Sequence, residues 1–220
     1  MRRIALVLGL IVVLAGCGAG QATGGPTPTT GGPPAATPAG SVAASPPAAT
    51  GAGLTLLSNW QKVDLTREGL QNMVTTLGPS NPQLAAALNQ LLTSGQFSQF
   101  LLYALGYDGA TYIGNVNITT FAVGALDLDG LGPLMEGQLK NVGVANYSAT
   151  KVVLPAGNAL LLKYTLTVHS GTTDLVVSGN AYIVIASGQA YQVTFSCNPP
   201  DPAACLAQGA QMIQTFRIGG

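Results

Sequence analysis

Charged residues are scarce in this chain of 220 amino acids, of which only 7% are Asp, Glu, Lys or Arg. An average soluble domain has about 25%. Eight basic residues balance eight acidic ones. Because neutralising phosphates requires clustered Lys and Arg, this composition excludes a basic nucleic-acid binder, and we expect no nucleic-acid partner.

Histidine is almost absent, and this limits the catalytic and metal sites that the chain can build. A Ser-His-Asp or Cys-His arrangement would need His169, which is the single histidine. One histidine also excludes a multi-histidine zinc site. The alternation around His169 indicates a solvated residue at the end of a strand. We therefore expect no enzyme, no metal and no cofactor.

Two short motifs match catalytic or metal-binding patterns, but each stands in the wrong context. Ser148 and Lys151 fit the Ser-x-x-Lys of penicillin-binding proteins, yet this serine lies in an alternating strand instead of at a helix start. Asp127 opens a calcium-loop pattern in which Leu131 and Gln138 are wrong for positions 5 and 12. We interpret Asp127 as a helix cap.

The N-terminus has the features of an export signal. Two arginines precede an apolar run over 4–15, whose length as a helix, about 18 Å, is too short for a bilayer core of about 30 Å. The sequence Leu14-Ala15-Gly16-Cys17 resembles the lipobox of bacterial lipoproteins. This resemblance implies that 1–16 is a signal peptide and that Cys17 becomes a diacylglyceryl-modified N-terminus on the extracytoplasmic face of the cell membrane. The alternative is an ordinary secreted protein with a chance cysteine.

A low-complexity segment follows the cysteine. Residues 18–53 have no charged or aromatic side chain, and all but Gln21 and Val42 are Gly, Ala, Pro, Ser or Thr. Such a segment cannot bury enough apolar area to offset its ordering entropy, so we expect 17–53 to be a disordered tether spanning roughly 33 Å. Residues 54–220 are then expected to form a single globular domain.

The first third of this domain is predicted to be mainly helical. After a short strand over 54–57, Asp64 is expected to cap a helix that ends at Gly78-Pro79. The sequence Ser80-Asn81-Pro82-Gln83 has the form of a capping box and precedes a leucine-rich helix. A third short helix is predicted over 97–105.

The remainder alternates with a period of two, which favours an antiparallel sheet with hairpin turns at Gly157, Gly171 and Gly188. The predicted strands cover 111–122, 144–154, 158–169, 174–186 and 189–196. A helix is predicted over 131–141. Asp201 and Pro202 begin a last helix, which has an apolar stripe at Cys205, Gly209, Met212, Ile213 and Phe216. The predicted fold class is therefore α+β.

This order of elements resembles the PsbP-like superfamily. The resemblance lies in 110–119, in 187–196 and in the closing helix with Gln214-Thr215-Phe216. It implies an α/β/α sandwich in which helices flank an antiparallel sheet, here with a helical segment near the start of the domain. It also implies binding of partners rather than catalysis.

Two of the three cysteines remain after Cys17 is assigned to lipid. Cys197 ends a predicted strand and Cys205 lies in the first turn of the last helix, so outside the membrane we expect a disulfide between them. A redox or metal pair is the alternative, but the spacing is not Cys-x-x-Cys and partner histidines are absent from the sequence.

Apolar residues are concentrated over 97–107. The excess indicates either a helix buried on several sides or an apolar patch for a partner, a lipid or another hydrophobic ligand. The candidate patch residues are Phe97, Phe100, Leu101, Tyr103 and Tyr107.

The leading hypothesis is a lipid-anchored extracytoplasmic binding or interaction module without catalytic activity. Its expected partners are the membrane, through diacylglycerol on Cys17, and a protein or an apolar ligand. A carrier of a lipid or other apolar ligand is the first alternative, and a hydrolase of unrecognised type is the second.

Overall fold

A computed structural model describes residues 51–79, 82–141, 143–170 and 173–219. The lipobox at 14–17, residues 17–50 of the predicted tether and the first two residues of the predicted capping box lie outside the described residues. The predicted tether boundary at 53 is too late, because Ala52–Gly53 already form a strand that pairs with Arg217–Ile218. Within the described residues, a seven-stranded antiparallel sheet has helices packed against both faces. The predicted α+β class is confirmed. In the part of the chain that is described, no helix is long and apolar enough to cross a membrane.

The strands and helices follow one another from residue 52 to residue 218. In chain order they are β1 (Ala52–Gly53), β2 (Trp60–Lys62), α1 (Arg67–Leu77), α2 (Pro82–Ser94), β3 (Phe100–Asp108), β4 (Thr111–Ala122), α3 (Leu128–Asn141), β5 (Val144–Leu154), β6 (Gly157–Ser170), β7 (Thr173–Ala186), β8 (Gln189–Cys197), α4 (Pro202–Met212) and β9 (Arg217–Ile218).

The strand order of the sheet is β2-β3-β4-β8-β7-β6-β5. Strands β5 to β8 form consecutive hairpins, whereas β4 pairs with β8 and so brings together two strands that are distant in sequence. Strands β1 and β9 pair separately, and Gly219 N donates to Gly51 O at 2.8 Å. The two ends of the described chain therefore lie side by side.

Each face of the sheet carries its own apolar core. On one face α4 packs on Phe195, Val193 and their neighbours, and the predicted stripe of this helix is buried. On the opposite face α1 and α2 cover β3, while Leu131, Met135 and Leu139 of α3 cover β6 and β7. On this second face, the middle strands β4 and β8 lie between the part of the sheet that α1 and α2 cover and the part that α3 covers.

Helix starts are capped by short polar side chains. Asp201 Oδ1 accepts from Ala204 N at 2.9 Å, which confirms the predicted cap of α4. At α1 the prediction is wrong by two residues, because the cap is Thr66, whose Oγ1 accepts from Gly69 N at 3.0 Å. Asp64 instead accepts from Thr66 N and supports the turn before the helix.

Two predicted elements are wrong. No strand is present over 54–57, where the leucines pack against the α4 core without pairing. The third helix over 97–105 is replaced by a 3-10 turn over Gln96–Gln99 followed by β3. Because both faces of β3 are covered, most of its consecutive side chains are apolar. Periodicity alone cannot distinguish such an apolar run from a buried helix.

Candidate functional site

Six uncharged polar side chains stand in the middle of the sheet, on the face opposite α4. They form three cross-strand pairs between β4 and β8 and are together called the polar row: Asn115 with Ser196, Asn117 with Thr194, and Thr119 with Gln192. All except Thr119 are buried. Buried polar groups are costly unless they are hydrogen-bonded, so this row requires an explanation.

The polar row separates two apolar clusters. On one side, Asn117 is the register partner of Tyr103 in β3, which belongs to the cluster under α1 and α2. On the other side, Thr194 is the register partner of Ala181 in β7, which belongs to the cluster under α3. The polar row therefore lies between the apolar cluster under α1 and α2 and the apolar cluster under α3.

Part of the row is satisfied internally. Gln192 Nε2 donates to Thr194 Oγ1 at 3.1 Å. Asn115 Nδ2 donates to the hydroxyl of Tyr112 at 3.1 Å.

Two buried polar atoms beside these bonds have no hydrogen-bond partner among the described residues: Asn117 Oδ1 and the Tyr103 hydroxyl. Tyr103 and Asn117 are register partners and are 1% and 2% exposed. An unsatisfied buried group costs about 1–3 kcal/mol, so this rung of the sheet is energetically unfavourable.

Three tyrosines of β3 and β4 pack in or against the core under α1 and α2 and form the tyrosine cluster: Tyr103, Tyr107 and Tyr112. The rings of Tyr107 and Tyr112 meet edge to face, with centroids 6.3 Å apart. Burial raises the pKa of Tyr112 to about 12, against the opposing effect of its hydrogen bond with Asn115. Burial, and then the proximity of Tyr112 and Tyr107, raises the pKa of Tyr103 well above 10.0. The cluster is therefore a set of neutral hydroxyl groups.

An open cleft adjoins this cluster and has a volume of about 780 Å³. Asn59 Nδ2 shapes it by donating to Tyr107 O at 2.8 Å, and Trp60 Nε1 donates to Gln208 Oε1 at 2.6 Å. Tyr107 belongs both to the cleft and to the tyrosine cluster. The lining residues, none of which is charged, are Ser58, Asn59, Trp60, Gln61, Leu77, Tyr107, Gly109 and Ala110.

The disulfide predicted from sequence is confirmed. Cys197 and Cys205 are bonded, with their Cα atoms 5.8 Å apart, and both are fully buried on the α4 face. The bond joins the end of β8 to the first turn of α4. Cys17, the predicted lipid acceptor, lies outside the described residues.

The candidate apolar patch over 97–107 does not form one surface. Phe100 and Tyr103 are buried in the core under α1 and α2, and Phe97 and Tyr107 pack partly against the same core. Only Leu101 among the five is well exposed, at 47%. Four of the five, including Phe97 in the 3-10 turn, pack into this one core under α1 and α2, so burial removes the continuous apolar surface that a patch would need.

The weaker motifs lie in ordinary secondary structure. Asp127 Oδ1 accepts from Gly130 N at 2.9 Å at the start of α3, which confirms it as a cap. Ser148 lies in β5, and Lys151 forms an ion pair with Asp129 at 2.5 Å. The backbone of His169 pairs with Asp174 at the end of the β6–β7 hairpin. Among the described residues no group of three His, Cys, Asp or Glu side chains could hold a metal ion.

Sequence reasoning missed the polar row because the polar half of an alternating strand normally faces solvent. A signal was present in the residue types. Both strands carry amides and hydroxyls at these positions and no charge, which is unusual for a solvated face.

Comparisons with known proteins give distant structural matches. No family model matches the sequence, and no curated protein matches it, so the lipobox and the PsbP-like resemblance stay predictions. Among solved structures, the chain is similar to LpqN of Mycobacterium tuberculosis, which is involved in cell envelope biogenesis, at 9% identity and a TM-score of 0.44 over 77% of this chain and 83% of that one. It is also similar to a Bacteroides thetaiotaomicron VPI-5482 protein, at 14% identity and a TM-score of 0.39 over 77% of this chain. The match spans 45% of that second protein.

Proposed function

We propose that this protein is a lipid-anchored, non-catalytic binding module on the extracytoplasmic face of a bacterial membrane. The observation that carries the binding role is the polar row, where Asn117 Oδ1 and the Tyr103 hydroxyl are buried without partners. A site that completes its hydrogen bonds only when it is occupied has a physical reason to hold such groups.

The proposal of a lipid anchor rests on the sequence that precedes the domain. Leu14-Ala15-Gly16-Cys17 supports cleavage before Cys17 and its modification by diacylglycerol. Two acyl chains make a stable attachment, since each buried CH₂ contributes about 0.8 kcal/mol. The disulfide between Cys197 and Cys205 supports an oxidising compartment.

Binding is favoured over catalysis by the chemistry of the row itself. General acid–base catalysis works best with groups that titrate near the working pH. Amides and aliphatic hydroxyls do not titrate there, and burial raises the pKa of Tyr103 and Tyr112 away from neutrality. These groups can orient and recognise a ligand, but they are poorly suited to moving its protons.

Membrane fractionation and intact mass of the full chain expressed in a bacterium test the anchor. Wild type and the tether variant Ser41→Ala, a matched control, are expected in the membrane fraction with diacylglycerol mass on Cys17. Cys17→Ser is expected to lose both. Equal membrane attachment of Cys17→Ser, or a native N-terminus without acyl mass, would show that the anchoring proposal is wrong.

A further inference from the structure

We propose that the outer edge of β5 binds a second copy of this chain, through an antiparallel pairing of β5 with itself about a two-fold axis at Thr150. This pairing joins two seven-stranded sheets into one continuous sheet. The interface is separate from the polar row, and it adds self-association to the proposed function.

The two edges of the seven-stranded sheet differ in length. Strand β2, at one edge, has three residues, whereas β5, at the other edge, has eleven. Among the described residues no strand pairs with the outer side of β5. A long open edge is a template for a further strand, and proteins usually protect it with short strands, proline or charge. Strand β5 has no proline and a single charged residue, Lys151, so it is the edge that is open to pairing.

The backbone groups that point outward from β5 belong to Ala149, Lys151 and Val153. Leu154 and Gly157 flank the two-residue turn of the β5–β6 hairpin, so the backbone groups of these two residues face each other. The direction of these groups alternates along an antiparallel strand. Every second residue before Leu154 therefore bonds to β6, and the residues between them turn their N–H and C=O groups away from the sheet.

A bulge limits the regular part of this edge. The pairing of β5 with β6 shifts register between Ala145 and Ser148, and Asn146 in this interval has a φ of 50°. From Ser148 to Leu154 the register is continuous. The regular edge that can pair with another strand is therefore 148–154.

Charge selects the register of the self-pairing. When a strand pairs with its own copy, residues at equal distances on either side of the two-fold axis face each other. An axis at Lys151 would oppose two ammonium groups, which is destabilising. An axis at Thr150 keeps the outward groups opposite one another and places Lys151 opposite Ala149 of the second copy. Lys151 also retains the ion pair with Asp129 of its own α3.

The same axis covers Val153, which at 80% has the highest exposure of the large apolar side chains in the described residues. Val153 and Tyr147 lie three residues to either side of Thr150, so each faces the other across the axis. Both are on the α3 face, because Tyr147 packs against the α3 cluster and Val153 is two residues from Lys151, which reaches Asp129. An aromatic beside a β-branched side chain is a favourable cross-strand pair.

The symmetry suits two copies on one membrane. An axis that pairs two antiparallel strands edge to edge is perpendicular to the sheet, so both copies present the α4 face on the same side. Ala52 and Ile218 pack against the core on that face, so both N-terminal segments reach the domain there. With the proposed anchor on Cys17, both copies attach to one bilayer, which raises their effective concentration. A second copy is therefore favoured over an unrelated extended peptide.

Disulfide trapping tests the register. The full chain carrying Cys17→Ser, in mild detergent, receives one free thiol through Thr150→Cys. Across the axis the two residues form a pair without mutual hydrogen bonds, whose Cα atoms are about 4.5 Å apart, within the range that a disulfide bridges. Under mild oxidation, a covalent dimer is expected to form at least about tenfold faster than with Ala149→Cys or Lys151→Cys, whose thiols lie off the axis.

Sedimentation of the same Cys17→Ser chain measures the dimer directly. Ala149→Lys places an ammonium opposite Lys151 of the second copy and is expected to raise the dissociation constant at least about tenfold. Ala149→Glu places a carboxylate there and is expected to lower it. Residue 149 is exposed, so urea unfolding of both variants is expected to match that of the parent chain. Thr167→Lys, at an exposed position of β6, is the matched control and should sediment as the parent does.

Self-pairing of β5 would be contradicted by a chain that sediments as a monomer up to about 1 mM. Equal trapping rates for Thr150→Cys and Ala149→Cys would also contradict it, as would equal effects of Ala149→Lys and Ala149→Glu, because association would then use another surface. None of these results bears on the anchor, since Cys17 is replaced throughout and fractionation decides that proposal separately.

Discussion

Tyr164 of β6 lies across Gly179 of β7, its register partner in the next strand, and hydrogen-bonds to Ser196 beyond it. A Cβ atom on Gly179 would stand 2.5 Å from Cε2 of the Tyr164 ring. The glycine therefore opens a path by which a tyrosine two strands away reaches the polar row. Glycine within a strand often marks such a close approach.

Gly179→Ala is expected to lower the free energy of unfolding by about 1–3 kcal/mol, because the added methyl overlaps the Tyr164 ring. Gly137→Ala is the matched control. Nothing lies within 4 Å of a Cβ at this exposed position in α3, so alanine is expected to stabilise by about 0.5–1 kcal/mol. Urea unfolding of both variants measures the difference, and equal effects would contradict the steric explanation.

Loss of the disulfide is expected to lower the free energy of unfolding by about 2.5 kcal/mol in the chain-entropy model, since Cys197 and Cys205 close a short loop. The double variant Cys197→Ala/Cys205→Ala, unfolded in urea, measures this loss. Addition of reductant should destabilise wild type by a similar amount and leave the double variant unchanged. A reductant effect on the double variant would point to another cause.

Asp127→Ala is expected to destabilise by about 1 kcal/mol, because Asp127 caps α3 through Gly130 N. Asp127→Asn retains a capping oxygen and should be nearly neutral. Asp129→Ala removes the exposed ion pair with Lys151 and an acidic side chain from the first turn of α3, and should change stability by less than about 1 kcal/mol. Thermal unfolding with and without calcium completes the test, and stabilisation by calcium that depends on Asp127 would show that the residue is a metal ligand.

Stability is expected to fall as the pH rises from about 10 towards 12. The folded state raises the pKa of Tyr112 from 10.0 to about 12, so in this range the unfolded chain has lost the tyrosine proton while the folded chain keeps it. Because the unfolded state then binds fewer protons than the folded state, the free energy of unfolding decreases as the pH rises. Below pH 10 Tyr112 is protonated in both the folded and the unfolded state, and its stabilising contribution is fully present.

Urea unfolding between pH 9 and pH 12 measures this slope, and phenolate absorbance follows the titration. Tyr103→Phe and Tyr112→Phe should each flatten the slope, since burial raises the pKa of both tyrosines. A slope that neither substitution changes would show that other groups cause the alkaline loss.

Local signals in the sequence were enough to predict the positions of several helices and strands. Strands β5 to β8 lie within two residues of their predicted bounds and helix α4 begins at the predicted Pro202, because turn glycines, a period of two and the Asp201-Pro202 cap act over a few residues. The helix ends at Met212, before the predicted stripe ends at Phe216, and a 3-10 turn over Ile213–Thr215 follows it. The Cys197–Cys205 pairing also followed from a short separation and the expected compartment. The predicted lipid attachment at Cys17 rests on the sequence alone, because residue 17 lies outside the described residues.

Only the tertiary structure decided which polar residues became interior. Asn117 and Thr194 are far apart in the chain, and their pairing depends on β4 and β8 meeting at the centre of the sheet. Their burial depends on α1 and α2 on one side and α3 on the other, which cover the same face of the sheet. No short segment of the sequence contains this information. The misassigned helix over 97–105 has the same cause: β3 is apolar because both its faces are covered, and covering is a long-range property of the fold.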